Sequence, residues 1–312
     1  MSLIEIGASF EVLAPSFADV LGVAPRLEKV VDVDAHEGPV YVEAEHALYF
    51  TSFPKPGTRV SIKRVDLETL EVSVVRRDAN GANGMTLDRA GRLIVCEQGS
   101  LSERARISRF DPVTGWIEGI VDGCEGRPLN SPNDVVVGSD GTIWFTDPSY
   151  GSLQGFRPAP RTGDNVYRHD PVTGRTTVVS DSFDKPNGLA FSPDETLLYV
   201  GDSGANQEAG SYYPERPHHI RVFAVAGGQL TGDHLFAVTN PGFPDGLKVD
   251  AAGRVYASSF GGVQVFAPTG VLIGEIRLPG AVNFTFGGAD RSTLFITTDT
   301  AIWAAALGAR GA

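Results

Sequence analysis

Six residues with a side-chain oxygen recur at one place in six similar stretches of the chain. Glu37 precedes Gly38-Pro39-Val40-Tyr41-Val42, Asn83 precedes Gly84-Met85-Thr86-Leu87, and Asn133 precedes Asp134-Val135-Val136-Val137. Asn187 precedes Gly188-Leu189-Ala190-Phe191, Asp245 precedes Gly246-Leu247-Lys248-Val249, and Asn283 precedes Phe284-Thr285-Phe286. Taken singly, Asn-Gly, Asn-Asp and Asp-Gly are ordinary turn formers between strands. Glutamate before Gly-Pro is not, and six equivalent positions argue for a shared role. Carboxylate and amide oxygens suit hard cations such as calcium and magnesium, not zinc or copper.

Other chemistries find less support. There is no G-x-S-x-G elbow and no glycine-rich phosphate loop leading into a helix. Cys96 falls in an apolar run and reads as core. His218 and His219 are adjacent, so on a strand they face opposite ways. His46, His169 and His234 read as surface or turn residues, while His36 abuts Glu37 and can reach the rim of a site there. Metal-assisted chemistry is what remains.

The elements that must position these residues come from the repeat. Each opening residue leads through a turn into a second β-rich run, at 47–50, 93–96, 143–146, 198–200, 255–257 and 294–296. Third and fourth strands follow most pairs. The turns Asp111-Pro112-Val113-Thr114-Gly115 and Asp170-Pro171-Val172-Thr173-Gly174 are identical in sequence, and Ala267-Pro268-Thr269-Gly270 repeats the scheme a third time. Proline second and glycine last are what a tight turn requires. A unit recurring every ~40–60 residues is close to the period of propeller blades. The pattern predicts an all-β, six-bladed β-propeller of four-stranded antiparallel blades over residues 27–312, with a lead-in over 1–26. The last unit lacks a fourth strand, which residues 27–33 can supply, closing the ring with the N-terminal part of the chain. Residues 10–25 read as a short helix or an irregular segment.

In a propeller the first strand of each blade lines the axis, so the six opening residues gather at one mouth of the channel. Three long connections, near residues 97–105, 148–165 and 203–219, emerge on that same face and are placed to wall a pocket. The formal net charge of −12 repels phosphate backbones, so no nucleic-acid partner is expected. No run of about 18 apolar residues is present, so no membrane span is expected. Met-Ser-Leu-Ile-Glu at the start has no basic segment before an apolar run, and the two cysteines form no disulfide framework. A cytoplasmic protein with free thiols is the expectation. Nothing in the pattern specifies an oligomeric state.

Asn130-Ser131-Pro132-Asn133-Asp134-Val135-Val136, continued by Gly141-Thr142-Ile143-Trp144-Phe145-Thr146-Asp147-Pro148-Ser149-Tyr150-Gly151, resembles the signature of bacterial gluconolactonases. Their family is shared with senescence marker protein (regucalcin) and luciferin-regenerating enzyme. His36-Glu37-Gly38-Pro39-Val40, Lys185-Pro186-Asn187-Gly188-Leu189 and Phe243-Pro244-Asp245-Gly246-Leu247 match as well. The resemblance implies a six-bladed propeller with one axial divalent cation, calcium first, with zinc, magnesium or manganese as alternatives. The implied ligands are Glu37, Asn133, Asn187 and Asp245, and the implied substrate-binding residues are Asn83, Tyr150 and His36. The implied reaction is hydrolysis of a sugar lactone to its aldonic acid, the cation polarising the carbonyl and Asp245 serving as general base or orienting the attacking water. Asn133 and Asn187 would hold the cation and stabilise oxyanion charge, and Glu37 would balance charge. Phosphotriester hydrolysis within the same family and a non-catalytic binding propeller are the alternatives.

Overall fold

The structure, a computed structural model, describes residues 9–55 and 59–312. The first eight residues of the expected lead-in lie outside the described residues.

Six antiparallel blades of four strands, one of them extended by a fifth, surround one axis. Blade one holds strands Val40–Val42, Ala47–Thr51, Ile62–Asp66 and Val72–Arg76. Blade two runs from Ala82–Leu87 to Ile117–Val121, and blade three from Val135–Val137 to Arg175–Ser180. Blade four runs from Pro186–Phe191 to Gln229–Val238, and blade five from Leu247–Val249 to Leu272–Arg277. Blade six takes Phe284–Gly287, Thr293–Thr298 and Ala301–Ala306 from the end of the chain. Its outermost strand is Arg26–Asp32, paired antiparallel to Ala301–Ala306. The N-terminal strand therefore closes the ring, as the missing fourth strand of the last unit predicts.

The core is divided among the seams between blades. Each of six apolar clusters fills one seam. Side chains alternate along a strand, so each inner strand feeds two seams at once. Cys96 is buried in the seam between blades two and three, beside Ile107 and Phe145, and both cysteines are free and buried.

The structure corrects two expectations. Residues 10–25 do contain a short helix, Ala18–Leu21, but Phe10–Val12 forms a fifth strand on blade five, with Phe10 opposite Ile276. Phe17, Val20 and Leu21 then enter the seam between blades five and six. His169 is neither a surface nor a turn residue: it is buried on the third strand of blade three, its Nδ1 3.0 Å from Thr176 Oγ1. No helix among the described residues is long and apolar enough to cross a membrane.

Convergence on the axis explains the glycines that follow the opening residues. Gly84 donates its N–H to the Asn133 carbonyl (2.8 Å), and Gly188 donates to the Asp245 carbonyl (3.0 Å), each bonding to the opening residue of the next blade. A β-carbon on Gly84 would stand 2.5 Å from the Asn133 oxygen, and one on Gly188 would overlap the Asp245 oxygen. These glycines are close-approach positions within inner strands, not turns. Gly188→Ala should therefore cost about 1–3 kcal/mol and lower the melting temperature by several degrees in a calorimetric scan. An unchanged melting temperature would contradict such close packing at the axis.

Candidate functional site

All six opening residues reach the same mouth. Glu37, Asn83, Asn133, Asn187 and Asn283 are buried there, and Asp245 is partly open. In four blades a hydroxyl at the end of the second strand fixes the backbone at or beside the opening residue. Thr51 Oγ1 accepts from Glu37 N (3.2 Å), Ser258 Oγ from Asp245 N (3.0 Å), and Thr297 Oγ1 from Asn283 N (3.3 Å). Two threonines at this position, Thr146 and Thr297, also reach the next blade. Thr146 Oγ1 donates to the Asn187 carbonyl (2.8 Å), and Thr297 Oγ1 to the His36 carbonyl (2.6 Å). The sequence reading missed these hydroxyls. Their signal is a threonine or serine thirteen or fourteen residues after the opening residue, in Phe50-Thr51, Phe145-Thr146, Ala257-Ser258 and Ile296-Thr297.

The signature loop of blade three is held from behind. The Asp147 carboxylate accepts N–H groups from Asn130 and Ser131 (both 2.8 Å). Ser131 Oγ donates to the Pro148 carbonyl (2.6 Å) and accepts from Gly151 N (2.9 Å), tying the loop to the short helix Tyr150–Leu153. Asp164 bonds Ser149 Oγ (3.1 Å) and the buried Lys185 Nζ (2.9 Å), which joins that helix to the segment entering Asn187. Tyr150 is thereby buried beside the axis, its hydroxyl donating to the Ser203 carbonyl (3.3 Å) and hydrogen-bonded to Asn187.

At the centre lie two carboxyl groups. Glu37 and Asp245 share a hydrogen bond, and Asn187 also bonds Asp245. Asn283 Nδ2 donates to Glu37 Oε2 (2.6 Å), so Asn283 braces a carboxylate. Asn83 Nδ2 donates to the Asn133 carbonyl (3.2 Å). Asn133 Oδ1 is buried with no partner. So is one oxygen of Asp134, a third buried carboxyl that the sequence reading passed over. Its signal is a break in the repeat: four blades place glycine after the opening residue, and blade three places Asp134. His36 sits at the rim, its Nδ1 2.7 Å from Asp299 Oδ1 and its ring edge-on to Phe53.

Burial raises the pKa of both central carboxyls, and the like charge of Asp245 adds to the rise at Glu37. Asp245 is pushed up to about 7 by burial, despite hydrogen bonds from Glu37 and Asn187 that pull it down. The arrangement fits a hard divalent cation: two carboxylates to balance its charge, two amide side chains, and one amide oxygen buried without a partner. Among the described residues no three His, Cys, Asp or Glu side chains are gathered to hold a metal ion. A cation here would therefore depend on the amide oxygens of Asn133 and Asn187 as well as on Glu37 and Asp245.

The raised carboxyl gives a test of its own. An unperturbed aspartate ionises near 3.8 and Asp245 near 7, so between those values the folded state holds a proton that the unfolded chain has released. Cation-free protein should lose stability as pH rises from about 4 through 7. Asp245→Asn removes that loss. In the presence of a chelator the variant should melt a few degrees above the parent at pH ~8, with the gap closing toward pH ~5. An equal or lower melting temperature at the alkaline end would contradict the strained carboxyl pair.

The comparisons with known proteins agree with this architecture. Residues 35–300 match the family described as SMP-30/Gluconolactonase/LRE-like region. A gluconolactonase of Zymomonas mobilis is 31% identical over 300 residues, spanning 91% of this chain and 82% of that protein. A pentonolactonase of Haloferax volcanii is 26% identical over 290 residues, spanning 86% and 84%. The solved structure of a gluconolactonase from Xanthomonas campestris superposes with a TM-score of 0.83 at 34% identity, covering 97% of this chain and 96% of that one. The fold and the family match coincide, and the chain belongs to the SMP-30/gluconolactonase/LRE-like family.

Proposed function

We propose that this protein hydrolyses sugar lactones to their aldonic acids at the axial mouth, with a divalent cation, calcium first, held by Glu37, Asn133, Asn187 and Asp245. Lactone hydrolysis is the activity named for the gluconolactonase and pentonolactonase relatives. The observation that carries the reading is the Glu37–Asp245 carboxyl pair together with the buried, unpartnered Asn133 Oδ1 of a neighbouring opening residue. Two anionic groups and an idle amide oxygen in a buried cluster are costly unless something positive joins them.

When bound, such a cation supplies Lewis acidity toward a carbonyl oxygen. The chain's own residues supply the rest. Asp245 is the one opening residue partly open to the mouth, and its ionised carboxylate takes a proton from the attacking water and returns it to the departing ring oxygen. Asn187 and Glu37 fix its orientation through their hydrogen bonds. Asn283 keeps Glu37 in place from behind. Asn83, Tyr150 and His36 line the approach to Asp245, with Tyr150 held rigid by Ser203 and Asn187.

A pH-stat assay over a panel of aldono-γ- and δ-lactones tests this directly. Turnover should vanish with chelator and return with calcium. At saturating cation, Asp245→Asn should lower kcat by about 100-fold or more. No turnover of any sugar lactone with cation supplied would overturn the assignment, and near-normal activity of Asp245→Asn would overturn the role given to that residue.

A further inference from the structure

Three aromatic rings stand together on the loops around Asp245, outside every core cluster. Tyr212 lies in the long connection of blade four, Phe243 two residues before Asp245, and Phe260 in the turn between the second and third strands of blade five. The ring of Phe260 is 5.0 Å from that of Tyr212 and 5.4 Å from that of Phe243, centroid to centroid. Tyr212 and Phe243 are 6.5 Å apart. Their planes meet at 61°, 78° and 36°, so the rings form an open corner, not a closed stack. Tyr212 is 37% exposed and Phe260 46%.

The corner is held in place by the site itself. Ser203 Oγ donates to the Pro244 carbonyl, immediately before Asp245, and the Ser203 carbonyl accepts from Tyr150. Phe260 N donates to the Pro241 carbonyl (3.1 Å), and Tyr213 N to the Ala205 carbonyl (2.8 Å), fixing the backbone at or beside two of the rings. Gly242 passes against the Phe260 ring so closely that a β-carbon there would stand 2.7 Å from it. Elsewhere the mouth is mainly polar, built from the opening residues, the Tyr150 hydroxyl and the His36–Asp299 pair, with Phe53 as a single ring beside His36. Ordered, exposed aromatic surface next to a polar reaction centre is what a ligand with one polar and one apolar end would cover.

Resting on the lactone-hydrolase reading, we propose that Tyr212, Phe243 and Phe260 form an apolar subsite that extends the substrate range from sugar lactones to lactones carrying an alkyl or aryl arm. The ring carbonyl sits at Asp245 and the arm lies in the aromatic corner. Transfer of the arm from water to the rings contributes affinity in proportion to the apolar area covered.

The experiment compares a hexyl-substituted γ-lactone with unsubstituted γ-butyrolactone and with gluconolactone, under the same cation conditions. The parent protein should favour the hexyl compound over γ-butyrolactone by about tenfold or more in kcat/KM, chiefly through KM. Phe260→Ala and Tyr212→Ala should each lose most of that preference and leave gluconolactone turnover within about twofold, and Phe260→Leu should retain most of it. Equal losses on all three substrates, or no preference in the parent, would overturn the subsite. So would a dimer in sizing chromatography that Phe260→Ala dissolves, because a second copy would then be the occupant. Calorimetric binding of the non-hydrolysable hexyl γ-lactam separates the two readings. If no lactone is turned over but the lactam binds and Phe260→Ala weakens it, the subsite stands and the hydrolase reading falls. Failure of the lactam to bind the parent would overturn the subsite whatever the turnover.

Discussion

Where six strands converge on one axis, the space beside the first residues of each is taken by the backbone of the next. Gly84 and Gly188 make this explicit, since each bonds the opening residue one blade along at a distance that leaves no room for a β-carbon. Such contact forces the opening side chains toward the mouth, because the seams on either side are filled by apolar clusters. The threonines of blades three and six strengthen the same circuit by spending one hydroxyl on two blades. The site is thus fixed by backbone packing before any side chain is chosen, which gives the rigidity that a preorganised constellation needs.

What occupies those fixed positions works against stability. Glu37, Asp245 and Asp134 bring three carboxyls into one buried neighbourhood, and burial raises the pKa of each. Their surroundings only partly compensate: Asn283 donates to Glu37, Asn187 bonds Asp245, and the charge of Lys248 pulls Asp134 back down. An apolar cluster would be easier to bury, and buried carboxyls with raised pKa values are candidates for a chemical role. The blade seams supply ample packing to tolerate them, which makes the propeller a suitable scaffold for a charged centre.

The parts legible in the sequence were those written by repetition. Blade number, the recurring Asp-Pro-Val-Thr-Gly turn, ring closure by the N-terminal strand and the gathering of the opening residues all follow from one period. What escaped was what occurs once. Phe10–Val12 is too short to show alternation, and only its register with residues 274–276 reveals a strand. His169 looked like a turn residue because it precedes a turn, yet its side chain falls on the buried face of its strand. Asn283 and Asn133 are the same residue type at equivalent positions, and only the structure shows one bonded to Glu37 and the other without a partner for its oxygen. Such differences depend on which way a side-chain amide turns, and spacing carries no information about that.

A uniform repeat gives a site with no preferred direction, and the loops break that symmetry. Blades one to four carry long connections between their second and third strands, including residues 52–61 of blade one that the sequence reading did not count, whereas the corresponding turn of blade five contains little more than Phe260. The consequence is a mouth with two characters. Around blade three the wall is made of hydrogen-bonded polar groups anchored by Asp147, Ser131 and Asp164. Between blades four and five it is made of exposed rings. On the proposed reading the axial residues would meet only the carbonyl oxygen and the attacking water, and so would treat every lactone carbonyl alike. Discrimination among substrates must therefore come from the loops, and the loop residues that differ most from their polar surroundings are the aromatic ones beside Asp245.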